Sequence, residues 1–69
     1  MVKEHDVVAL TEDVPSEGLR KGDVGAVVNC YQADDIYEVE FIDERGRTKR
    51  IASIPASRLM KLNLPPLTA

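Results

Sequence analysis

One histidine, one cysteine and pairs of neighbouring acids are the raw material for chemistry in this chain of 69 residues. His5 lies between Glu4 and Asp6, residue types that can ligate a metal or take up a proton. At the start of a strand, alternation sends Glu4 and Asp6 to the face opposite His5 and spoils a three-ligand cluster. An exposed strand-end imidazole is the expectation. Cys30 can act as a nucleophile only with a base within hydrogen-bond reach, and His5 is the sole imidazole. Pairing of the first and second strands would bring the two together. In an alternating strand Cys30 reads instead as a small apolar side chain. Glu12-Asp13 and Asp34-Asp35 fall on connections, where two carboxylates hold Ca²⁺ or Mg²⁺ only if further oxygens converge, and their spacing is not that of a Ca²⁺ loop. No catalytic residue, cofactor or metal site is assigned, and the chain reads as non-enzymatic.

The basic residues cluster at Arg20-Lys21 and at Arg45, Arg47, Lys49 and Arg50. A nucleic-acid site has to lie there. The chain offers no aromatic row on which bases could stack, and nine Lys/Arg against twelve Asp/Glu leave a net charge of −3, which opposes adhesion to phosphate backbones. Nucleic acid is therefore disfavoured, and an RNA- or ribosome-associated role for the basic strand is the alternative. Pairing of Glu38 or Glu40 with Lys49 or Arg50 across neighbouring strands accounts better for the charges. Arg47 and Lys49 should share one face, with Arg50 on the other.

The length allows one small domain, and such a domain buries only roughly 60% of its unfolded surface. At 43% hydrophobic, but with no Trp, one Phe and two Tyr, its core must come from Val, Leu, Ile and Ala. Sheet closure, self-association or a bound partner would add stability. Asp6-Val-Val-Ala-Leu10 reads as a first strand, and Thr11 to Asp23, with Pro15, Gly18 and Gly22, as a long polar loop. Val24 to Tyr31 is the second strand, where Gly25 marks a bulge or a close backbone approach. In Ile36 to Ile42, Tyr37, Val39 and Phe41 alternate with Glu38 and Glu40. Asp43-Glu-Arg-Gly46 is a hairpin turn, Arg47 to Ile54 the fourth strand, Pro55 to Ser57 a turn of 3₁₀ helix, and Arg58 to Leu62 the fifth strand. The expected fold is all-β, a small five-stranded SH3-like barrel over residues 1–62 with a long loop after strand one and a 3₁₀ turn before strand five. Residues 63–69, with Pro65 and Pro66, form a tail.

Three stretches carry a family resemblance: Asp6 to Leu10, Gly18-Leu-Arg-Lys-Gly-Asp-Val-Gly-Ala-Val-Val28, and Tyr37-Glu-Val-Glu-Phe41 followed by Pro55-Ala-Ser57. Over roughly residues 4 to 62 the chain resembles the domain of unknown function 4926 family of short bacterial proteins. The Gly-Asp-Val-Gly unit at Gly22 to Gly25 with Tyr37 to Phe41 carries most of its weight, while Gly-x-x-Gly-x-Val alone is also similar to ribosomal-type and nitrile-hydratase-type barrels. The resemblance implies a stand-alone barrel with no assigned activity and, in some genomes, a neighbouring gene for a small toxin-like protein. It implies no catalytic residues. Lys49 and Arg50 depart from the family, whose members are more apolar there.

In a barrel of this layout the long first loop and the connection after strand two border a groove. Glu12, Asp13, Glu17, Tyr31, Asp34 and Asp35 then form an acidic, partly aromatic docking face. The expected function is a non-enzymatic protein-binding module, antitoxin-like or an accessory subunit, whose partner is a basic protein encoded nearby; a homo-oligomer is a further option. No apolar run approaches the ~20 residues that cross a bilayer, and the charged start does not read as a signal peptide, so the expected location is the cytoplasm with no membrane partner.

Overall fold

The structure, a computed structural model, describes residues 2–31 and 35–63. Strands β1 (Val7–Leu10), β2 (Val24–Tyr31), β3 (Ile36–Ile42), β4 (Thr48–Pro55) and β5 (Leu59–Lys61) are joined by loops and two 3₁₀ turns, η1 (Pro15–Glu17) and η2 (Ala56–Arg58). They form one antiparallel sheet in the order β4-β3-β2-β1-β5, and no α-helix occurs among the described residues. The all-β fold, the long loop after β1 and the 3₁₀ turn before β5 are thus as the residue pattern predicts. The ladder does not close into a cylinder. β4 and β5 are its two edges, linked by η2 instead of by strand pairing, an arrangement compatible with an SH3-like barrel.

One apolar core fills the concave side. Val8 and Leu10 of β1, Val27 of β2, Val39 and Phe41 of β3, and Ala52 and Ile54 of β4 pack there, and no polar or charged side chain is buried among the described residues. The register explains the selection, because Val27 faces Val39 and Val39 faces Ala52, with the intervening Glu38 and Glu40 turned to the other side. β1 is buried along its whole length. Val7 and Ala9 point away from that core and are covered beside Ala26, Val24 and Met60 of the adjoining strands.

Gly25 marks a close approach. A Cβ built there would lie 2.6 Å from the Glu40 carbonyl oxygen and 2.8 Å from a methyl of Val39, so the bare backbone is what lets β2 press against β3. The irregularity in the pairing comes later, where Val28 is squeezed out between the Val27–Val39 and Asn29–Glu38 pairs. A second one separates Phe41–Arg50 from Ile42–Thr48 and makes Lys49 the extra residue of β4. This shift corrects the expected charge pairing across β3 and β4. Glu40 faces Ile51 and accepts a hydrogen bond from the Thr48 hydroxyl, Glu38 faces Ser53, and neither meets Lys49 or Arg50.

The hairpin between β3 and β4 is built as its residues demand. Asp43 Oδ1 accepts the amides of Arg45 at 2.8 Å and Arg47 at 3.0 Å, and Gly46 takes φ +77°, where an L side chain is strained. His5 corrects the reading of the first residues. It sits in a turn with φ +75° and not in a strand, so alternation does not govern its neighbours.

Replacing Gly25 by Ala tests the close approach. The nearest obstructing atom, the Glu40 carbonyl oxygen, belongs to the β3 backbone and cannot rotate away, so Gly25→Ala should cost about 1–3 kcal/mol of unfolding free energy, read as a lowered urea midpoint. An unchanged midpoint would mean that β2 and β3 are free to separate.

Candidate functional site

The long loop is folded back on the sheet. Val14 and Leu19 exchange backbone hydrogen bonds of 2.9 and 3.1 Å around η1, Gly18 closes the turn at φ +68°, and both apolar side chains enter the core. A pair of apolar residues five positions apart around Pro-Ser-Glu-Gly is the signal for this lobe in an otherwise polar stretch. With Val14 and Leu19 facing inward, the acids lie outside, each with a partner. Asp13 Oδ1 accepts the Lys21 amide at 2.8 Å, Arg50 Nε donates to Glu17 Oε1 at 2.7 Å, and Lys49 Nζ donates to Asp23 Oδ2 at 3.1 Å. Arg58 Nε stands 3.1 Å from Glu12 Oε1. The basic residues of β4 thus hold the lobe instead of forming a free basic strip.

The turn η2 ties the lobe to the other loop. The Ala56 amide donates to the Asp35 carbonyl, and the Arg58 carbonyl accepts the Thr11 amide, both at 2.9 Å. Ala56 and Arg58 are two residues apart, so the first loop and the start of β3 stand within about 7 Å of chain on either side of η2. Glu12 and Asp35 are therefore brought to one flank, with Asp13 next in the chain and Glu17 held at β4. Tyr31, at the end of β2 opposite Ile36, is 44% exposed. Asp34 lies outside the described residues, as does the tail from residue 64 on.

A groove of about 710 Å³ opens beside this flank. Its floor is Cys30 and Tyr37, register partners that pack on the end of the core, with Asn29 beside them; Val2, Lys3 and Glu4 line it on one side and Asp35 on the other. His5 does not line it. The thiol and the imidazole are thus not gathered in one cavity, and among the described residues no three His, Cys, Asp or Glu side chains are grouped to hold a metal ion. The spacing of the chain did not reveal this groove, because residues of the first turn, β2 and β3 form it only after the sheet has curled.

A family model described as a domain of unknown function, DUF4926, matches residues 4–61. The chain belongs to this family. No curated protein and no solved structure matches it.

Two surface carboxylates of the DUF4926 domain, Asp6 and Asp23, are held below the ordinary aspartate value. The Lys3 amide, 2.7 Å from Asp6 Oδ2, holds the Asp6 carboxyl below its ordinary value of 3.8, with Lys61 adding to the effect. The Arg20 amide, 2.9 Å from Asp23 Oδ2, does the same for Asp23, aided by Lys49. A carboxylate whose pKa is lower in the folded than in the unfolded chain stabilises the fold while ionised. That contribution is complete above the unfolded value, near 3.8, and is lost as the pH falls through the lower folded one. Stability of the DUF4926 domain should therefore be flat from neutral pH to about pH 5 and fall below about pH 4. In Asp6→Asn and Asp23→Asn the deficit relative to the parent chain should shrink as the pH drops through that window. Urea titrations at stepped pH check this, and a constant deficit down to pH 2 would contradict it.

Proposed function

We propose that this domain is a non-enzymatic, cytoplasmic protein-binding module, antitoxin-like or an accessory subunit, that engages a basic protein encoded nearby. The observation that carries the reading is the double hydrogen bond of η2 to Thr11 and Asp35, which ties the first loop and the start of β3 to the same turn. Glu12, Asp13, Glu17 and Asp35 supply negative charge and Tyr31 an exposed aromatic group. The present cationic partners of Glu12 and Glu17 are largely solvated, and ion pairs of that kind are worth roughly 0–1 kcal/mol. An incoming Lys or Arg can exchange with Arg58 or Arg50 at little cost. Acidic groups steer the encounter, and inhibition of the partner would be steric.

The same pairs weaken the alternative of an RNA-binding strand, because Lys49 and Arg50 already neutralise Asp23 and Glu17. Arg45 and Arg47 at the hairpin tip are its remaining support.

Co-expression with the products of the adjacent genes, followed by affinity capture, tests the proposal. A complex should form that weakens with added salt. The double substitution Glu12→Lys with Asp13→Lys should weaken it by roughly tenfold or more while leaving the thermal unfolding midpoint within a few degrees. No complex with any neighbouring product, or salt-sensitive retention of RNA instead, would overturn it.

A further inference from the structure

The groove at the end of the core has three properties that bear on an occupant. It has an apolar strip continuous with the core, since Val2, Cys30 and Tyr37 all pack against the buried cluster while part of each stays exposed, with the polar Asn29 beside them. Among the described residues its rim carries two carboxylates, Glu4 and Asp35, against one ammonium, Lys3. It is open to solvent along its mouth, unlike the enclosed pockets that bury most of a small metabolite.

Both walls are also held in place by backbone contacts. On one side the Lys3 amide is fixed to Asp6, His5 takes the left-handed conformation, and its amide donates to the Val27 carbonyl at 2.7 Å. On the other, Asp35 is left-handed at φ +56° and its carbonyl is bonded to Ala56. These two are the only described non-glycine residues with positive φ, and each borders the groove or its wall. Such backbone costs about 1–2 kcal/mol per residue and persists only where surrounding contacts impose it. A site so fixed needs little reordering to receive a ligand.

We infer that this groove receives an apolar side chain of a protein segment whose flanking Lys or Arg meets Glu4 and Asp35. The inference rests on the protein-binding reading and deepens it, since Asp35 belongs to both the acidic flank and the groove rim. The apolar side chain is the desolvated anchor, and the cations around it find the two rim carboxylates.

Cys30 is the only cysteine and lies in the floor, so its alkylation reports occupancy directly. The rate of iodoacetamide reaction is measured on the full chain alone and with three synthetic peptides of equal length: alternating Arg and Leu, alternating Arg and Ser, and alternating Glu and Leu. The Arg/Leu peptide should slow alkylation at least about threefold at saturation, and the other two should not. In the double variant Glu4→Gln with Asp35→Asn, whose Asn tolerates the left-handed backbone, that protection should require roughly tenfold more peptide. Absence of protection by Arg/Leu, or equal protection by Glu/Leu or Arg/Ser, would overturn the inference. So would protection undiminished in the double variant. Capture of a neighbouring gene product by the alkylated protein as well as by the untreated one would overturn the groove as anchor while leaving the protein-binding reading intact. Protection by Arg/Leu without capture of any such product would instead remove the adjacent-gene partner and keep the groove.

Discussion

The absence of a side chain at Gly25 is the constraint on which the rest of the structure depends. The β2 backbone lies so near β3 that a methyl group would overlap the Glu40 carbonyl, and this contact curls a five-stranded sheet tightly enough to enclose a core with a single Phe and no Trp. Curling brings the start of β3 and the end of β4 round to the first loop, where η2 can bond to both. The acidic flank and the groove beside it therefore follow from backbone geometry near the middle of the sheet.

Charge has a positional role here. The core is wholly apolar among the described residues, so acids and bases sit on its outside and decide where the 11–23 lobe rests. Arg50, Lys49 and Arg58 reach Glu17, Asp23 and Glu12, each an exposed or half-exposed pair of small worth. The lobe's lasting hold is Val14 and Leu19 in the core. Its charged contacts add little beside that apolar hold.

Most of the fold was legible in the residues. The bounds of β2 and β3 follow from β-branched runs and period-two alternation, and the Asp43–Gly46 turn follows from its Asx and glycine chemistry. Three things were not. The register shift at Lys49 has no marker in β4, so a plausible pattern of acids opposite bases pointed to the wrong partners. Val14 and Leu19 were hidden in a polar stretch whose only apolar members they are, apart from its proline. His5 looked like a strand end because nothing in Glu4-His5-Asp6 announces a left-handed turn. The backbone bonds of η2 to Thr11 and Asp35 tie the first loop and the start of β3 to one turn. The cations that pair with Glu12 and Glu17, Arg58 of η2 and Arg50 of β4, came from elements too distant in sequence to be read.

The extra residue in β4 has a consequence for the protein in bulk. β4 is the longer rim of an unclosed sheet, and an uninterrupted rim of eight extended residues invites lateral stacking into fibrils. Lys49, set out of register beside Arg50, places cationic bulk and a local kink along that rim, and Pro55 ends it without an amide to offer. A crowded solution of such molecules meets a bent and interrupted rim where it would otherwise find a template for polymerisation.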